Sequence, residues 1–154
     1  MRIGVISDTH GLLRLEALEL LAGSDHILHA GDVGAEDILD RLQQLAPTTA
    51  IRGNIDRKGL CAALPPTEAV ELGSCLFYLV HSLADLDLDP VAAGIGAVIS
   101  GHSHQPLISW KAGVLYLNPG SAGPRRFRLP LTVARIELNG TSLLPEILPL
   151  NLPQ

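Results

Sequence analysis

Aromatic residues and cysteines are scarce in this sequence. Phe, Trp and Tyr together make up 3% of the chain, so its core must be built mainly from Leu, Ile, Val and Ala. The two cysteines, Cys61 and Cys75, form neither a Cys-x-x-Cys pair nor a larger framework. This pattern argues against a disulfide-stapled secreted fold and predicts two reduced thiols in a cytoplasmic protein.

Positive charge and long apolar runs are also lacking. The chain has 11 Lys and Arg residues against 16 Asp and Glu residues, which gives a net charge of −5. We therefore expect no long nucleic acid as a partner, although a local basic site could still bind a small anion. No apolar stretch approaches the length of a membrane-spanning helix, and the first apolar run is cut off at Asp8. We expect neither a membrane partner nor a signal peptide.

The remaining composition is that of a well-packed globular protein. Hydrophobic residues make up 47% of the chain and charged residues 18%, which argues against disorder. The length of 154 residues, without an internal repeat, predicts a single domain over residues 1–154.

The first third of the chain alternates between strand-like and helix-like segments. Short runs rich in branched apolar residues predict strands at 2–7, 26–29 and 48–52. Leucines every third residue and an i, i+4, i+7 pattern predict helices at 12–22 and 35–46. A β-α-β-α-β order implies a parallel sheet with covered faces.

The remainder of the chain is dominated by predicted hairpins. Turn residues between apolar runs predict strand pairs at 67–72 with 76–81, at 107–110 with 114–117 and at 131–138 with 141–148. A further strand is expected at 97–100. Asp89 and Pro90 predict the start of a short helix that ends near Gly94. Together these elements predict an α/β fold with a two-layer core of mixed sheets and helices outside.

Polar residues able to bind metals follow five of the predicted strands. In open α/β sheets, ligands bind beyond the carboxyl ends of the strands. Residues i and i+2 of an extended segment point the same way. Asp8 with His10, and His102 with His104, would therefore each present two ligands to the same side. The full set is Asp8, His10, Asp32, Asn54, His81, His102 and His104.

Seven nitrogen and oxygen ligands are too many for one tetrahedral site. They suit two metal ions that share a bridging carboxylate. The absence of a thiolate from the set, and its four imidazoles, favour Mn, Fe, Co, Ni or Zn over Ca or Mg without choosing among them.

Each of these residues alone also has a structural interpretation. Asp32 or Asn54 after a strand is commonly a turn residue or a helix cap, and His81 alone would be a partly buried, hydrogen-bonded side chain. His29 could buttress Asp32, and His26 is expected to pack. The co-occurrence of the candidate ligands at successive strand ends favours the metal site.

The motifs resemble those of a known family. Asp8-x-His10, Gly31-Asp32, Gly53-Asn54-x-Asp56, His81 and Gly101-His102-x-His104 resemble the calcineurin-like metallophosphoesterases. Asn118-Pro119-Gly120-Ser121 resembles the small prokaryotic phosphodiesterase branch, and the similarity runs from residue 2 to about residue 138. The resemblance implies a four-layer αββα sandwich of two mixed β-sheets flanked by helices.

The resemblance also implies a site and an activity. One metal would be held by Asp8, His10, Asp32 and His104, and the other by Asp32, Asn54, His81 and His102, with Asp32 as the bridge. Mn²⁺ is the metal that we expect first, with Ni²⁺, Co²⁺, Fe²⁺ or Zn²⁺ as alternatives. The implied reaction is hydrolysis of a phosphodiester with a good leaving group by in-line attack of a metal-activated water, with Asp32, Asn54 and His81 as catalytic residues.

Two positions depart from the family pattern. Ile55 stands where larger relatives have a histidine after Gly-Asn, and it can neither protonate a leaving group nor bind phosphate. We therefore expect monoesters to be poor substrates. Ser82 stands where the branch usually has glycine, and it would either narrow the pocket or add a hydroxyl there.

The substrate and partners are less constrained. Asn54 and Arg125 are the candidate substrate-binding residues, and the alternative for Arg125, as for Arg126 and Arg128, is a solvated loop. The alternative functions are a scaffold or binding module, as in the retromer scaffold subunit, and a nuclease acting on short oligonucleotides or cyclic nucleotides. A small phosphodiester is the expected partner, and apolar hairpins would allow a homo-oligomer, either a dimer or a tetramer.

Overall fold

The computed structural model describes residues 1–153 and consists of two five-stranded sheets packed face to face. Three α-helices accompany them among the described residues: α1 (Leu15–Leu21), α2 (Glu36–Leu45) and α3 (Gly59–Ala62). The strands are β1 (Arg2–Ile6), β2 (His26–His29), β3 (Thr48–Ala50), β4 (Thr67–Leu72), β5 (Cys75–Val80), β6 (Ala97–Ile99), β7 (Leu107–Lys111), β8 (Val114–Asn118), β9 (Thr132–Asn139) and β10 (Ser142–Pro149).

The first sheet has the strand order β10-β9-β1-β2-β3. Its strands β1, β2 and β3 are parallel, as the alternation of strands and helices predicts, and β9 pairs antiparallel with both β1 and β10. Strand β1 is central and reads as an almost continuous apolar run because both faces of the sheet are covered.

The second sheet has the order β4-β5-β6-β8-β7. The hairpins β4-β5 and β7-β8 are antiparallel, while β6 lies parallel to β5 and β8. All three predicted hairpins, including β9-β10, are confirmed. These short connections can be predicted from sequence because glycine adopts the positive φ that such turns require, as Gly140 does in the β9-β10 turn.

The sandwich architecture is confirmed. Its main core lies between the sheets, where Ile3 and Val5 of β1 join Phe77 of β5 and Ile99 of β6 in one buried cluster. Helices α1 and α2 cover the outer face of the first sheet. The outer face of the second sheet is covered by segment 83–95 through Leu86, Leu88 and Ile95. The assignment of residues 1–154 to one domain stays a prediction.

Some predicted boundaries are wrong. The helix expected after Asp89 is a run of turns over residues 90–94, although the Asp89 carboxylate does accept the N–H of Val91, as a cap would. The N–H groups of Ala93, Gly94 and Ile95 bond to the carbonyls of Asp89, Val91 and Pro90, a mixed pattern that does not repeat as an α-helix. The short helix α3 was not predicted.

Helix α1 begins three residues later than its leucine pattern predicts. Residues 12–14 continue the loop that leaves β1, and the N–H of Leu12 is bonded to the carbonyl of Thr9. The helix buries Ala17 and Leu21, while Leu15 remains exposed. Strand β3 ends at Ala50 because the N–H of Arg52 turns away to bond Pro65.

Within residues 1–153, no helix has the length and apolar character needed to cross a membrane. The two cysteines are buried and unpaired, as expected. The cytoplasmic location and the homo-oligomer stay predictions.

Candidate metal centre

All seven predicted ligands converge where the carboxyl ends of the parallel strands in the two sheets meet. The first sheet supplies the loops after β1, β2 and β3, and the second supplies those after β5 and β6. Loops at this edge follow strands that are held rigidly in the core, so they can place side chains from distant parts of the chain together.

The first ligand group is formed by Asp8, His10 and His104. The Asp8 Oδ1 atom lies 3.4 Å from His104 Nε2 and 3.7 Å from His10 Nε2. Asp8 is fully buried and His104 nearly so. A carboxylate and two imidazoles aimed at one point form a cation-binding set.

The second group is formed by Asp32, His81 and His102. The amide of Asn54 completes it: its Oδ1 lies 3.1 Å from His81 Nε2 and 3.2 Å from His102 Nδ1. This group is more open than the first, because His102 is exposed whereas Asp32 and His81 are buried. A substrate would therefore reach the centre from the side of His102.

Asp32 connects the two groups. Its Oδ2 atom lies 3.4 Å from His10 Nε2 in the first group and 3.2 Å from His81 Nε2 in the second. Its Oδ1 atom accepts the backbone N–H of Ile55 at 3.0 Å. The carboxylate is thus held at one oxygen and presents the other to both groups.

The ligands lie on strained backbone rather than on extended strand. The prediction that paired ligands converge because they lie at i and i+2 of an extended segment is wrong in its reason. Left-handed backbone costs a non-glycine residue about 1–3 kcal/mol, and such strain concentrates at functional sites. Positive φ angles occur at Asp8 (56°), His10 (46°), Asp32 (55°), His102 (71°) and His104 (61°).

Interlocking loops hold this conformation. The N–H of Asp8 donates to the carbonyl of Gly31, and that of His10 donates to the carbonyl of Asp32. A Cβ at Gly53 would overlap the Asp32 carboxylate, and one at Gly101 would lie 2.6 Å from Asp8 Oδ2. The glycines before Asn54 and His102 therefore let the loops approach each other.

Hydrogen bonds aim the ligand atoms. The Oδ2 atom of Asp8 accepts the Ser7 hydroxyl at 2.7 Å and the N–H of His102 at 3.1 Å, which leaves Oδ1 to face the centre. The Nδ1 of His81 lies 2.7 Å from the carbonyl of Ala30. Because a carbonyl only accepts, Nδ1 carries the proton and the lone pair of Nε2 faces the centre.

The residues fit a metal ion. Asp8 Oδ1 and His10 Nε2 are buried and have no hydrogen-bond partner among the residues that the structure describes. Buried polar atoms without a partner are rare and costly. Divalent cations would satisfy both atoms, and this nitrogen and oxygen set suits transition metals.

Comparison with known proteins places the chain in a family. The sequence model of the calcineurin-like phosphoesterase superfamily domain matches residues 1–141. The chain belongs to this superfamily. It is 37% identical to a probable metallophosphoesterase of Methanocaldococcus jannaschii over 146 residues, which cover 85% of this chain and 72% of the relative. It is 34% identical to a probable metallophosphoesterase of Methanothermobacter thermautotrophicus, with 96% and 92% of the two chains covered.

Solved structures share the fold of this phosphoesterase. An archaeal phosphodiesterase superposes with a TM-score of 0.80 at 22% identity, covering 96% of this chain and all of the other. Vps29 of Entamoeba histolytica in complex with Zn²⁺ superposes with a TM-score of 0.75 at 21% identity, covering 98% and 100%. At these identities the likeness concerns the fold alone.

The charges in the phosphoesterase site stabilise one another. The carboxylates of Asp32 and Asp8 raise the pKa of His10 to about 9. Burial opposes ionisation of both carboxyls, yet the neighbouring histidines hold the pKa of each below its ordinary value. Burial lowers the pKa of His104, against the charge of Asp8. The two carboxylates are thus anionic at neutral pH, as ligands of a cation must be.

Two buried residues outside the ligand set hold the loops. Asp56 accepts the N–H groups of Val33, Gly34 and Gly53 at 2.9–3.0 Å, and so ties the loop after β2 to the loop after β3. Asp56 ends the Gly53-Asn54-x-Asp56 motif, but the motif alone predicts no role for it. A carboxylate three residues after a loop glycine, in a chain that must close tight turns, was the available signal.

His29 supports the site differently from the prediction. Its ring bonds the hydroxyl of Thr9 at 3.0 Å and the N–H of Gly31 at 3.1 Å, rather than Asp32. His29 therefore supports the loops that carry the candidate ligands, and it contacts none of those ligands through a hydrogen bond. His26 bonds the Thr49 hydroxyl away from the centre, consistent with the packing role expected for it.

The arginine-rich loop lies beside the first ligand group. Arg125 is exposed and its guanidinium donates to the carbonyl of Leu129 at 3.4 Å. The positive charge of Arg126, by contrast, contributes to the lowered pKa of His104 and so reaches the site. The sequence favours Arg125 over Arg126 as the substrate-binding residue, and the direction of a side chain in a loop cannot be deduced from composition. A substrate role for Arg125 stays a prediction.

Proposed function

We propose that the protein is a metal-dependent phosphodiesterase with two divalent cations bound in one centre. Membership of the superfamily and the presence of candidate ligand groups support a phosphoester hydrolase that uses metal. The position of Asp32 Oδ2, within 3.4 Å of a ligand atom in each group, supports two cations over one. Two-metal sites share such a bridging oxygen.

The proposed ligand sets follow the two groups. Asp8, His10, Asp32 and His104 would hold one cation, and the second set would be Asp32, Asn54, His81 and His102. Mn²⁺ is proposed as the native ion, with Ni²⁺, Co²⁺, Fe²⁺ and Zn²⁺ as alternatives that the same donors accept. The cations would supply polarisation of the phosphoryl oxygens and a water of lowered pKa.

The chain itself would contribute positioning and charge balance. The ring of His81 is fixed by its bond to Ala30, so it would orient the second cation and would not donate a proton from Nε2. Asn54 is neutral, and an aspartate at this position would add negative charge where an anionic phosphate must bind. The Asp32 carboxylate, held by the N–H of Ile55, would keep the two cations close to each other.

A diester is the proposed substrate class because general-acid help is missing near Asn54. Ile55 is 40% exposed beside the second group and has no ionisable atom. Without a proton donor the leaving group must depart as an anion, which favours leaving groups of low pKa. The fold likeness to an archaeal phosphodiesterase is in keeping with this choice.

The first test is hydrolysis of bis-p-nitrophenyl phosphate by chelator-stripped protein with single metals added back. We expect Mn²⁺ to restore activity. Asp32→Asn and His102→Ala should each lower kcat by roughly 100-fold or more, since even the partners behind metal ligands are worth about 10–100-fold. Asp40→Asn and His26→Ala are matched controls outside the centre and should retain activity.

The alternative outcome is equally informative. If the folded protein shows no hydrolysis with any metal, the phosphodiesterase proposal fails and a non-catalytic scaffold on the same fold becomes the better hypothesis. If the protein hydrolyses the diester but Asp32→Asn is as active as the control variants, the two-cation centre is wrong.

A further inference from the structure

Two cavities open on either side of His102. One, which we call the Ser82 cavity, has a volume of about 400 Å³ and is lined by parts of residues 82–84, 100–107 and 118. The other, of about 600 Å³, includes Arg52 and Asp85 in its wall. His102 and Ser82 line both cavities. A phosphodiester at the proposed centre has two ester arms, and each cavity offers a direction for one of them.

The Ser82 cavity is lined by no Asp, Glu, Lys or Arg side chain of the described residues. Its wall combines apolar groups, such as Ala84 and Leu107, with the polar groups of Ser100 and Gln105. A second phosphate placed there would lose water without gaining a cation, which is strongly unfavourable. The opposite cavity, with the guanidinium of Arg52, lacks that restriction.

Polar groups in the Ser82 cavity are free to bind a ligand. The side chains of Ser82, Ser100 and Gln105 make no hydrogen bond to another of the residues 1–153. The carboxamide of Asn118 is different, because it donates to the carbonyl of Gly101 and to the Ser103 hydroxyl and so holds the loop of the metal ligands. Two hydroxyls and a carboxamide around an apolar floor suit a ring that carries hydroxyl groups.

We infer that the Ser82 cavity binds the uncharged nucleoside arm of a phosphodiester, and that Ser82 and Gln105 are specificity-determining residues there. The inference rests on the proposed function and narrows its substrate class to diesters whose arm on this side carries no further phosphate. The volume lies in the range of small-molecule sites. The inference also gives Ser82, the serine that departs from the family pattern, a role: its hydroxyl would lie in the wall of the site that binds the nucleoside.

The test uses a series of esters that share a p-nitrophenyl leaving group. The second arm is methyl, phenyl, thymidin-5′-yl or 3′-phosphorylated thymidin-5′-yl, and kcat/KM is measured on the full-length, metal-loaded protein. We expect kcat/KM for the thymidinyl ester to exceed that for the methyl ester by about tenfold or more. A site that forms hydrogen bonds with substrate hydroxyls discriminates strongly against analogues that lack them. The added 3′-phosphate should remove that advantage.

Variants locate the effect. Ala84→Trp fills the cavity from an exposed position, so kcat/KM for the thymidinyl ester should fall to within about twofold of that for the methyl ester. Ser82→Ala and Gln105→Ala should each lower the ratio of the two kcat/KM values severalfold. Ala93→Trp is the matched control, because it adds the same side chain at an exposed site outside both cavities and should leave the advantage intact.

The outcomes separate this inference from the proposed function. If wild type hydrolyses bis-p-nitrophenyl phosphate but shows no preference for the thymidinyl ester, the inference alone is wrong. It is also wrong if the preference persists in Ala84→Trp, or if the 3′-phosphate increases kcat/KM and Ala84→Trp abolishes that increase, since the phosphorylated arm would then occupy the Ser82 cavity. If no ester is hydrolysed with any metal, the proposed function itself fails.

Discussion

At the scale of single residues, the candidate centre combines strained backbone with buried charge. Five ligands adopt positive φ, and two buried ligand atoms lack a hydrogen-bond partner among the described residues. Neither feature stabilises the fold, since each costs free energy that packing elsewhere must offset. Such costs are typical of positions that are shaped for a ligand rather than for folding.

Ile55 allows a direct prediction about leaving groups. Across a series of aryl phosphodiesters, wild-type kcat should fall steeply as the pKa of the leaving phenol rises, because no side chain at residue 55 can protonate the departing oxygen. Ile55→His should raise kcat for the poorest leaving groups by about tenfold or more and flatten the series. General-acid help is commonly worth 10²–10⁴-fold, so a partly aligned histidine would be visible.

Ile55→Gln is the control for that series. It introduces a polar side chain without a proton of suitable pKa, and it should keep the steep dependence of wild type. A wild-type series with a flat dependence would mean that another group or a bound water protonates the leaving oxygen, and the proposed importance of Ile55 would be wrong.

At the scale of elements, the loops after β2 and β3 behave as one unit. The Asp56 carboxylate accepts three backbone N–H groups from these loops while only 5% exposed. Hydrogen bonds to a charged group are worth about 1.5–3 kcal/mol each, and buried donors left without partners carry a similar penalty. Asp56 therefore helps to fix the loops that carry Asp32 and Asn54.

We predict that Asp56→Ala lowers the free energy of unfolding by roughly 3 kcal/mol, since the three bonds are not additive. Urea unfolding of the metal-free protein measures this loss, and metal titration should show weaker binding as well. Asp87→Ala, which removes an exposed aspartate, should unfold like wild type. An Asp56→Ala variant as stable as Asp87→Ala would show that the loops are held by other contacts.

Local signals in the sequence were sufficient to predict the hairpins and to select the polar residues that the structure brings together at the candidate centre. Gly73, Gly113 and Gly140 mark turns whose positive φ is intrinsic to glycine, so these connections are local. The left-handed backbone at Asp8 and Asp32 is not local, because it is imposed by bonds between loops far apart in sequence. For that reason the convergence of these residues could be predicted whereas their backbone geometry could not.

Elements that depend on tertiary context were predicted less well. Segment 83–95 has the cap residue of a helix at Asp89, yet it crosses the second sheet as a short 3-10 helix (Leu83–Asp85) followed by loop and turns, because Leu86, Leu88 and Ile95 pack on that sheet. The late start of α1 has a similar cause: the residues before Leu15 belong to the ligand loop after β1. In both segments tertiary packing overrides the local helix propensity of the sequence.

At the scale of the whole molecule, the buried interior of the first sheet also supports the loops of the candidate site. His29 is fully buried in β2, and its Nδ1 accepts the N–H of Gly31. Its Nε2 therefore carries the proton and donates to the Thr9 hydroxyl, which in turn donates to the carbonyl of Val33. This chain of bonds needs a neutral ring, and burial lowers the pKa of His29 to about 4.

The stability of the folded protein should consequently depend on pH through this buried histidine. Above pH 6.5 the ring is neutral in both the folded and the unfolded state. As pH falls from 6.5 to about 4, the unfolded chain takes up a proton that the folded protein excludes, so the free energy of unfolding decreases. The expected loss is roughly 3 kcal/mol, at about 1.4 kcal/mol for each unit of pKa difference.

Urea unfolding of chelator-treated protein between pH 4 and 8 measures this dependence, and His29→Gln isolates it. Glutamine keeps an N–H near Thr9 but does not titrate, so the variant should lose stability less steeply than wild type below pH 6.5. His26→Gln is the matched comparison on the same strand: burial also lowers the pKa of this partly buried ring, so its slope should lie between those of wild type and His29→Gln. The other histidines are unchanged in all three proteins, so a common slope would mean that they, rather than His29, set the acid limit of the fold.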